Sequence, residues 1–440
     1  MRRSLDLVRW LALGAASGVL AGLACWVFLT ALDHVTDTRL DHPTLIWFLP
    51  LAGLAVGAAY HRLAGRAAEG NALLLDEIHR PTAWVPRRMA PLVGIGTLVS
   101  HLFGASVGRE GTALQLSGSL TDWLARALGL RSEDRRILLT AALAGGFGAT
   151  FGVPWAGAVF GLEVQRLTWH APSGEPRSRP QLFGGFRDGT WLVRVAATLA
   201  ASVVGDRVVV ALGRHHEDRA ALHVGIDPAM LLRFAVAGLV FGLAALLFVE
   251  ATDLVRDAAR RAIPWAPGRP LVGGVLVVAA AALVGRAYLG LSLPLVDHAL
   301  AGDPTSWKDP ALKLGLTALC LGTGFIGGEV TPLFVVGATL GAALSPALGL
   351  PPVAGAAVGF VAVFGAAANT PIASTVVAVE LFGGGAVAPA AVACAVAYLC
   401  SGSRGLYATQ LRRSPGGPVP AEHLPSVVAR LATKRPRRAH

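Results

Sequence analysis

Gly108-Arg109-Glu110-Gly111-Thr112-Ala113-Leu114 lines up without gaps on Gly327-Gly328-Glu329-Val330-Thr331-Pro332-Leu333, and Gly118 and Gly337 keep the register. Each stretch sets a glutamate inside a long apolar run. A second pair follows: Phe147-Gly148-Ala149, Pro154, Ala156, Val159 and Glu163 match Phe364-Gly365-Ala366, Pro371, Ala373, Val376 and Glu380. A duplicated apolar chain with helices interrupted at corresponding positions is the pattern of a transporter whose site lies between its repeats. The duplication therefore points to ion translocation.

Composition puts the chain in a membrane. Of 440 residues, 54% are hydrophobic and 15% charged, and the mean hydropathy is +0.57. Apolar runs long enough to cross a bilayer recur between residues 10 and 403. The net charge of +11 does not call for nucleic acid, because the basic residues gather at the ends and in a few loops. Arg2, Arg3 and Arg9 open the chain, and Arg412, Arg413, Arg430, Lys434, Arg435, Arg437 and Arg438 close it. The positive-inside rule then predicts two cytoplasmic termini. Basic loops at 166–190 and 253–269 join that side, and the more acidic loops at 33–42 and 206–227 read as external. The apolar run from Leu11 to Leu32 is too long for a signal core and reads as the first membrane helix. A bacterial inner membrane is the expected location.

The domain reading is a first membrane repeat over 1–212, a second over 213–410 and a basic cytoplasmic tail over 411–440, able to touch anionic lipid. The tail reads as one short amphipathic stretch, a break at Pro415-Gly416-Gly417 and a basic end. Helices are predicted near 8–32, 45–64, 70–79, 90–105, 110–128, 134–149, 154–169, 190–212, 229–262, 271–288, 308–323, 331–347, 352–367, 372–384 and 386–403. Several are too short to span, since a crossing takes roughly 20 residues. Their joints carry Gly and Pro, which membrane depth tolerates where backbone is buried in protein or lines a wet cavity. Gly14-x-x-x-Gly18-x-x-x-Gly22 predicts a close helix contact.

Glu110 falls at the N-terminus of a predicted half-helix, where free N–H groups and the helix dipole favour an anion. Its carboxylate can fill that anion site, or take a proton and leave it to a mobile anion. A capping carboxylate is the plainer reading. Repetition at Glu329 and the cost of an intramembrane acid favour function. Cys25, Cys320, Cys394 and Cys400 have no metal-ligand spacing and read as packing residues, and no metal or cofactor is expected.

Gly108-Arg109-Glu110-Gly111, Gly327-Gly328-Glu329-Val330-Thr331-Pro332 and Arg404-Gly405-Leu406-Tyr407 resemble the three anion-site elements of the CLC chloride channels and transporters. The resemblance covers roughly residues 10–410. It implies an all-α integral membrane protein with an inverted repeat, a homodimer with one anion pathway per subunit, Glu110 as the gate and Tyr407 as the pathway tyrosine. Several positions depart from the chloride pattern. Gly70-Asn71-Ala72-Leu73-Leu74 stands for Gly-Ser-Gly-Ile-Pro, Thr112 for the proline after the gate, and Val164 for the inner proton glutamate. With Glu329-Val330-Thr331-Pro332, these departures resemble the fluoride branch, CLC-F, whose members are fluoride/proton antiporters.

Fluoride holds water tightly, so stripping it demands strong donors. Asn71 offers two amide donors where a hydroxyl offers one; a helix cap is its competing role. Thr331 adds a hydroxyl, and Glu329, if protonated, a carboxyl donor. The expected anion-binding set is Asn71, Gly108, Arg109, Gly111, Thr112, Glu329, Val330, Thr331 and Tyr407, with Glu110 gating and carrying protons. An interfacial aromatic is the alternative for Tyr407. Gln115 reads as a pathway group or a packing residue.

A chloride channel or exchanger of the same fold is the alternative reading. Gly104-Ala105-Ser106-Val107-Gly108 also fits the serine-hydrolase elbow, a remote alternative that needs a partner for Ser106. Asp76, Glu77 and His79 could suggest a metal site but read as a solvated helix end, and His215-His216 as exposed.

Overall fold

The first helix, α1 (Arg2–Asp41), continues past its apolar run through the acidic stretch expected as a loop. No glycine or proline interrupts residues 23–42, and Pro43 follows. The structure, a computed structural model, describes residues 2–165, 190–216, 219–225, 227–402, 405–407, 411–414 and 417–420. The basic loop at 166–189, Arg404 and the end of the tail lie outside them.

The chain continues through α2 (Leu49–Leu63), α3 (Asn71–His79), α4 (Met89–Leu102), α5 (Glu110–Ala127), α6 (Ser132–Phe151), α7 (Pro154–Glu163) and α8 (Thr190–Ala211). A second series comprises α9 (Pro228–Ala262), α10 (Gly268–Val284), α11 (Leu293–Ala301), α12 (Lys308–Thr323), α13 (Val330–Leu348), α14 (Pro352–Ala368), α15 (Pro371–Phe382) and α16 (Val387–Ser401). The membrane body is all-helical. Beyond it, β1 (Leu411–Ser414) pairs antiparallel with β2 (Gly417–Pro420), where an amphipathic stretch was expected. The expected basic loop at 253–269 is largely the end of α9, which runs on to Ala262 before Pro264.

Among the described residues, five spans are long and apolar enough to cross a membrane: Asp6–Asp41, Pro43–Leu63, Pro228–Ala262, Val330–Leu348 and Gly384–Ser401. Helices α3, α7, α11 and α15 have 9, 10, 9 and 12 residues and cannot cross unaided. Of these, α11 was not expected. It is short and begins with a proline in its first turn after Ser292, a non-glycine residue at φ 60°.

Close backbone approach holds the outer helices. A Cβ on Gly14 or Gly18 would lie 2.4 or 2.5 Å from the carbonyl oxygen of Ala197 or Ala201, so α1 and α8 meet at the glycine stripe. The same device joins α9 to α16, where Gly238 and Gly242 face Ala393 and Ala397. Inside, Phe147, Phe160, Phe334 and Phe364 form a buried aromatic cluster, with Phe147 and Phe160 stacked at 4.3 Å.

The second pair of repeated motifs now has a physical role. Glu163, the last residue of α7, accepts the Ile372 and Ala373 amides at 3.1 and 2.7 Å at the start of α15. Glu380, near the end of α15, accepts the Trp155 and Ala156 amides at 3.0 and 2.7 Å at the start of α7. Each short helix thus caps the other's orphan N–H groups.

Gly18→Leu should lower the thermal midpoint of the detergent-solubilised protein, with a loss of about 1–3 kcal/mol from overpacking. Gly315→Ala, whose Cβ would meet open space on α12, should leave the midpoint unchanged or slightly raised. An unchanged midpoint for Gly18→Leu in a thermal scan would refute the tight α1–α8 contact.

Candidate functional site

The two glutamate-bearing segments meet through their backbones. The Gly108 N–H donates to the Gly328 carbonyl at 2.6 Å, and the Gly328 N–H returns the bond to the Gly108 carbonyl at 2.7 Å. Both positions need glycine. A Cβ on Gly108 would lie 2.7 Å from Pro332 Cδ, and one on Gly328 2.7 Å from the Gly111 nitrogen. This bridge brings the N-termini of α5 and α13 together, and with them two sets of free N–H groups.

Glu110, the first residue of α5, is 1% exposed. Its Oε2 accepts the Thr331 N–H at 3.0 Å and the Arg109 N–H at 3.2 Å, and it also accepts the Thr331 hydroxyl. Its Oε1 accepts Arg109 Nε at 3.3 Å. The carboxylate thus occupies the first turn of the opposite half-helix, α13, on donors that suit any small anion.

Glu329 precedes α13 as its N-cap residue and reaches the other way. A Cβ on Gly111, in the first turn of α5, would lie 3.2 Å from both Glu329 Oε2 and Asn71 Nδ2. Asn71 is the first residue of α3 and follows Gly70, whose φ is 59°. Its Oδ1 is buried without a hydrogen-bond partner. Tyr407 is 3% exposed, and its hydroxyl lies beside the Glu329 carboxyl. The segment is anchored by the Leu406 N–H on the Ala367 carbonyl at 2.9 Å.

Asn71, Gly108, Arg109, Glu110, Gly111, Glu329, Thr331 and Tyr407 therefore converge where the two half-helices meet. Val330 is fully buried in the first turn of α13 and contributes backbone there. Thr112 is buried too, but its hydroxyl shares a 2.7 Å hydrogen bond with Thr97 of α4 and is committed to packing in this state. The Gln115 amide lies against Gly70, next to Asn71. Val164 is a core residue just beyond α7, 2% exposed.

Other sequence candidates resolve differently. Glu77 is no part of a solvated helix end: it is fully buried and accepts Arg135 Nη1 and Arg66 Nη2, each at 3.0 Å. Arg135 also binds Asp122 of α5, which in turn accepts the Val85 N–H at 2.7 Å. The cluster ties α3 to α5 and α6, and so fixes Asn71 relative to Glu110. Sequence reasoning missed it because its charges lie far apart in the chain. His79 Nε2 bonds to the Gln165 carbonyl at 2.7 Å, away from Glu77's partners. His216 is half-buried, 3.3 Å from Asp206, while His215 is exposed. Ser106 is fully buried, its hydroxyl 3.0 Å from both Thr317 and Lys313, closed to any hydrolytic substrate.

Residues 51–402 match the family described as voltage gated chloride channel. A chloride/fluoride channel protein of Pseudomonas syringae pv. tomato is 44% identical over 411 residues, covering 92% of this chain and 86% of that protein. An H(+)/Cl(-) exchange transporter ClcA of Vibrio cholerae is 27% identical over 397 residues, covering 83% of this chain and 80% of that protein. Among solved structures, a CLC-type fluoride/proton antiporter superposes with a TM-score of 0.82 at 29% identity, covering 92% of this chain and 98% of that one. A slow cyanobacterial Cl-/H+ antiporter gives 0.74 at 18% identity over 89% and 94% of the two chains, a likeness of fold. The paired half-helices, the glutamate seated between them and the match over most of its length place this chain in the voltage gated chloride channel (CLC) family.

Proposed function

We propose that this protein exports cytoplasmic fluoride in exchange for protons across a bacterial inner membrane. The observation that carries the reading is the Glu110 carboxylate seated on the Thr331 amide and hydroxyl at the start of α13. Ionised, the carboxylate holds those donors through charge-assisted hydrogen bonds. Protonation removes its charge, and the vacated N–H and O–H groups are then free to take a fluoride ion. One side chain thereby alternates with the transported anion and carries the proton. Val164, buried in the apolar core, offers no second carboxylate on the inner side.

Fluoride selectivity follows from the donors gathered around the first turn of α5. Asn71 supplies an amide, Thr331 a hydroxyl, and Glu329 a carboxyl that donates when protonated. Arg109, Gly111 and Val330 contribute backbone at the two helix starts, Gly108 holds the two starts together through its bridge to Gly328, and the Tyr407 hydroxyl completes the set. Thr112 takes part once its hydroxyl leaves Thr97. Chloride, larger and more weakly hydrated, gains less from such donors.

The wider reading is a homodimer with one pathway per subunit. The repeats span 1–212 and 213–410 in opposite orientations, both termini are cytoplasmic, and the basic 411–440 tail lies near anionic lipid. The work is transport, with no enzymatic step and no cofactor.

Fluoride should leave protein-loaded liposomes faster than chloride under the same gradient. Equal efflux of the two would move the protein to the chloride reading without touching the fold. Asn71→Ser should narrow that preference by roughly tenfold or more, as losing one good donor to an ion costs about 1.5–3 kcal/mol; unchanged selectivity in a folded variant would remove Asn71 from the anion site.

Glu110→Gln keeps the shape but cannot exchange a proton. An imposed pH gradient should then no longer drive uphill fluoride movement, read by proton uptake and fluoride efflux in the same vesicles. Persistent coupling in this variant would show that the proton travels elsewhere, with Glu329 the next residue to test.

A further inference from the structure

Lys313 lies in the middle of α12 and is fully buried, yet the transport reading gives it no task. Burying an ammonium without a counterion is among the costliest placements available to a side chain. Among the described residues no carboxylate lies within ion-pair distance of it. Four oxygens surround it instead: the Gly290 carbonyl at 2.7 Å, the Ser106 and Ser292 hydroxyls at 3.0 Å, and the Tyr288 carbonyl at 3.3 Å. The arrangement resembles a coordination shell in which a tethered ammonium stands for a metal cation.

The shell draws three separate segments together. Gly290 and Ser292 both adopt φ 60°, a bend that turns two of the shell oxygens inward. The same bend is tied to the gate loop directly, since the Gly290 N–H donates to the Ala105 carbonyl at 3.2 Å. On α12, Lys313, Thr317 and Cys320 follow at helical spacing on one face, and all three hold Ser106. Lys313 and Thr317 bond its hydroxyl, and Cys320 Sγ accepts its N–H at 3.2 Å. Two residues further along, Gly108 makes the backbone bridge to Gly328. The end of α12 leads, after Gly324, into Gly327-Gly328-Glu329. A single helix therefore grips one half of the bridge and supplies the other.

Charge adds to the grip. His101, 1% exposed, has Arg39, Lys313 and Arg109 as its charged neighbours, and its Nε2 lies 3.4 Å from the Gly108 carbonyl. Arg39 is likewise without a carboxylate partner among the described residues, and its Nε is buried and unbonded. Of these cations Arg109 pairs with Glu110, while Lys313 and Arg39 have no carboxylate partner among the described residues.

We propose that Lys313 is a positioning residue for transport: its ammonium clamps the loop that carries the gate, so that Glu110 stays seated on α13 and no anion passes without a proton. The proposal rests on the transport reading above and concerns the fidelity of exchange. Loosening the clamp lets the gate loop open while Glu110 is unprotonated, and anions slip through.

The test measures fluoride efflux and proton uptake together in liposomes holding the purified full-length protein, for the wild type, Lys313→Met, Ser106→Ala and Gly315→Ala. Lys313→Met should raise the share of fluoride that crosses without a proton by roughly tenfold, the change expected when a charge-assisted hydrogen bond stops favouring one of two states. Ser106→Ala should raise it less, and Gly315→Ala not at all. The ratio is read on active molecules, so a loss of folded protein lowers both fluxes and leaves it unmoved. Wild-type coupling in both Lys313→Met and Ser106→Ala overturns the proposal; where Lys313→Met fails to assemble, wild-type coupling in Ser106→Ala alone overturns it. An uncoupled wild type defeats the antiporter reading itself, an outcome visible before any variant is compared.

Discussion

Two hydrogen bonds between Gly108 and Gly328 organise everything else in this molecule. Non-helical backbone at membrane depth must find partners within the protein, because hydrocarbon offers none. Each broken-helix loop here satisfies the other, and neither could do so with a side chain in the way. The bridge leaves two helix starts pointing at a shared space, whose free N–H groups make it attractive to an anion. Glu110 and Glu329 answer that attraction from opposite sides. In this structure the Glu110 carboxylate occupies the start of α13.

Reciprocity recurs at every level of the fold. Glu110 of one series sits at the start of α13 in the other, and Glu329 lies beside the first turn of α5. Glu163 and Glu380 exchange caps between α7 and α15. Glycine stripes bind α1 to α8 and α9 to α16. The polar devices share one logic: a short helix cannot finish its own hydrogen bonding, and the corresponding element of the other series finishes it. Apolar packing, led by the phenylalanines of α6, α7, α13 and α14, joins the two series in the interior.

Much of this was legible in the chain before folding. The duplicated glutamate segments marked the two loops that meet, the proline and glycine joints marked the broken helices, and Gly14, Gly18 and Gly22 marked a close contact. What escaped had two physical causes. Length was one: α11 has nine residues and no periodic pattern long enough to register, while α1 overran its apolar run because nothing in the next turns stops a helix. Long-range charge pairing was the other. Glu77, Asp122 and Arg135 look like unrelated surface residues in sequence, and only the packing of α3, α5 and α6 reveals one buried cluster. Lys313 was hidden for the same reason, since its partners are carbonyls and hydroxyls that no sequence pattern marks. The matching of Glu163 with Glu380 was seen, but its meaning needed the two helices side by side.

The exchanged caps on α7 and α15 bear on how the chain is made. A ribosome delivers the first series well before the second, and N-terminal segments generally begin folding during synthesis. The start of α7 nevertheless has its amides met by Glu380, which is synthesised more than two hundred residues later. Until then those groups must be shielded by water, by lipid headgroups or by the insertion machinery. These two hydrogen bonds therefore form only once α15 is present.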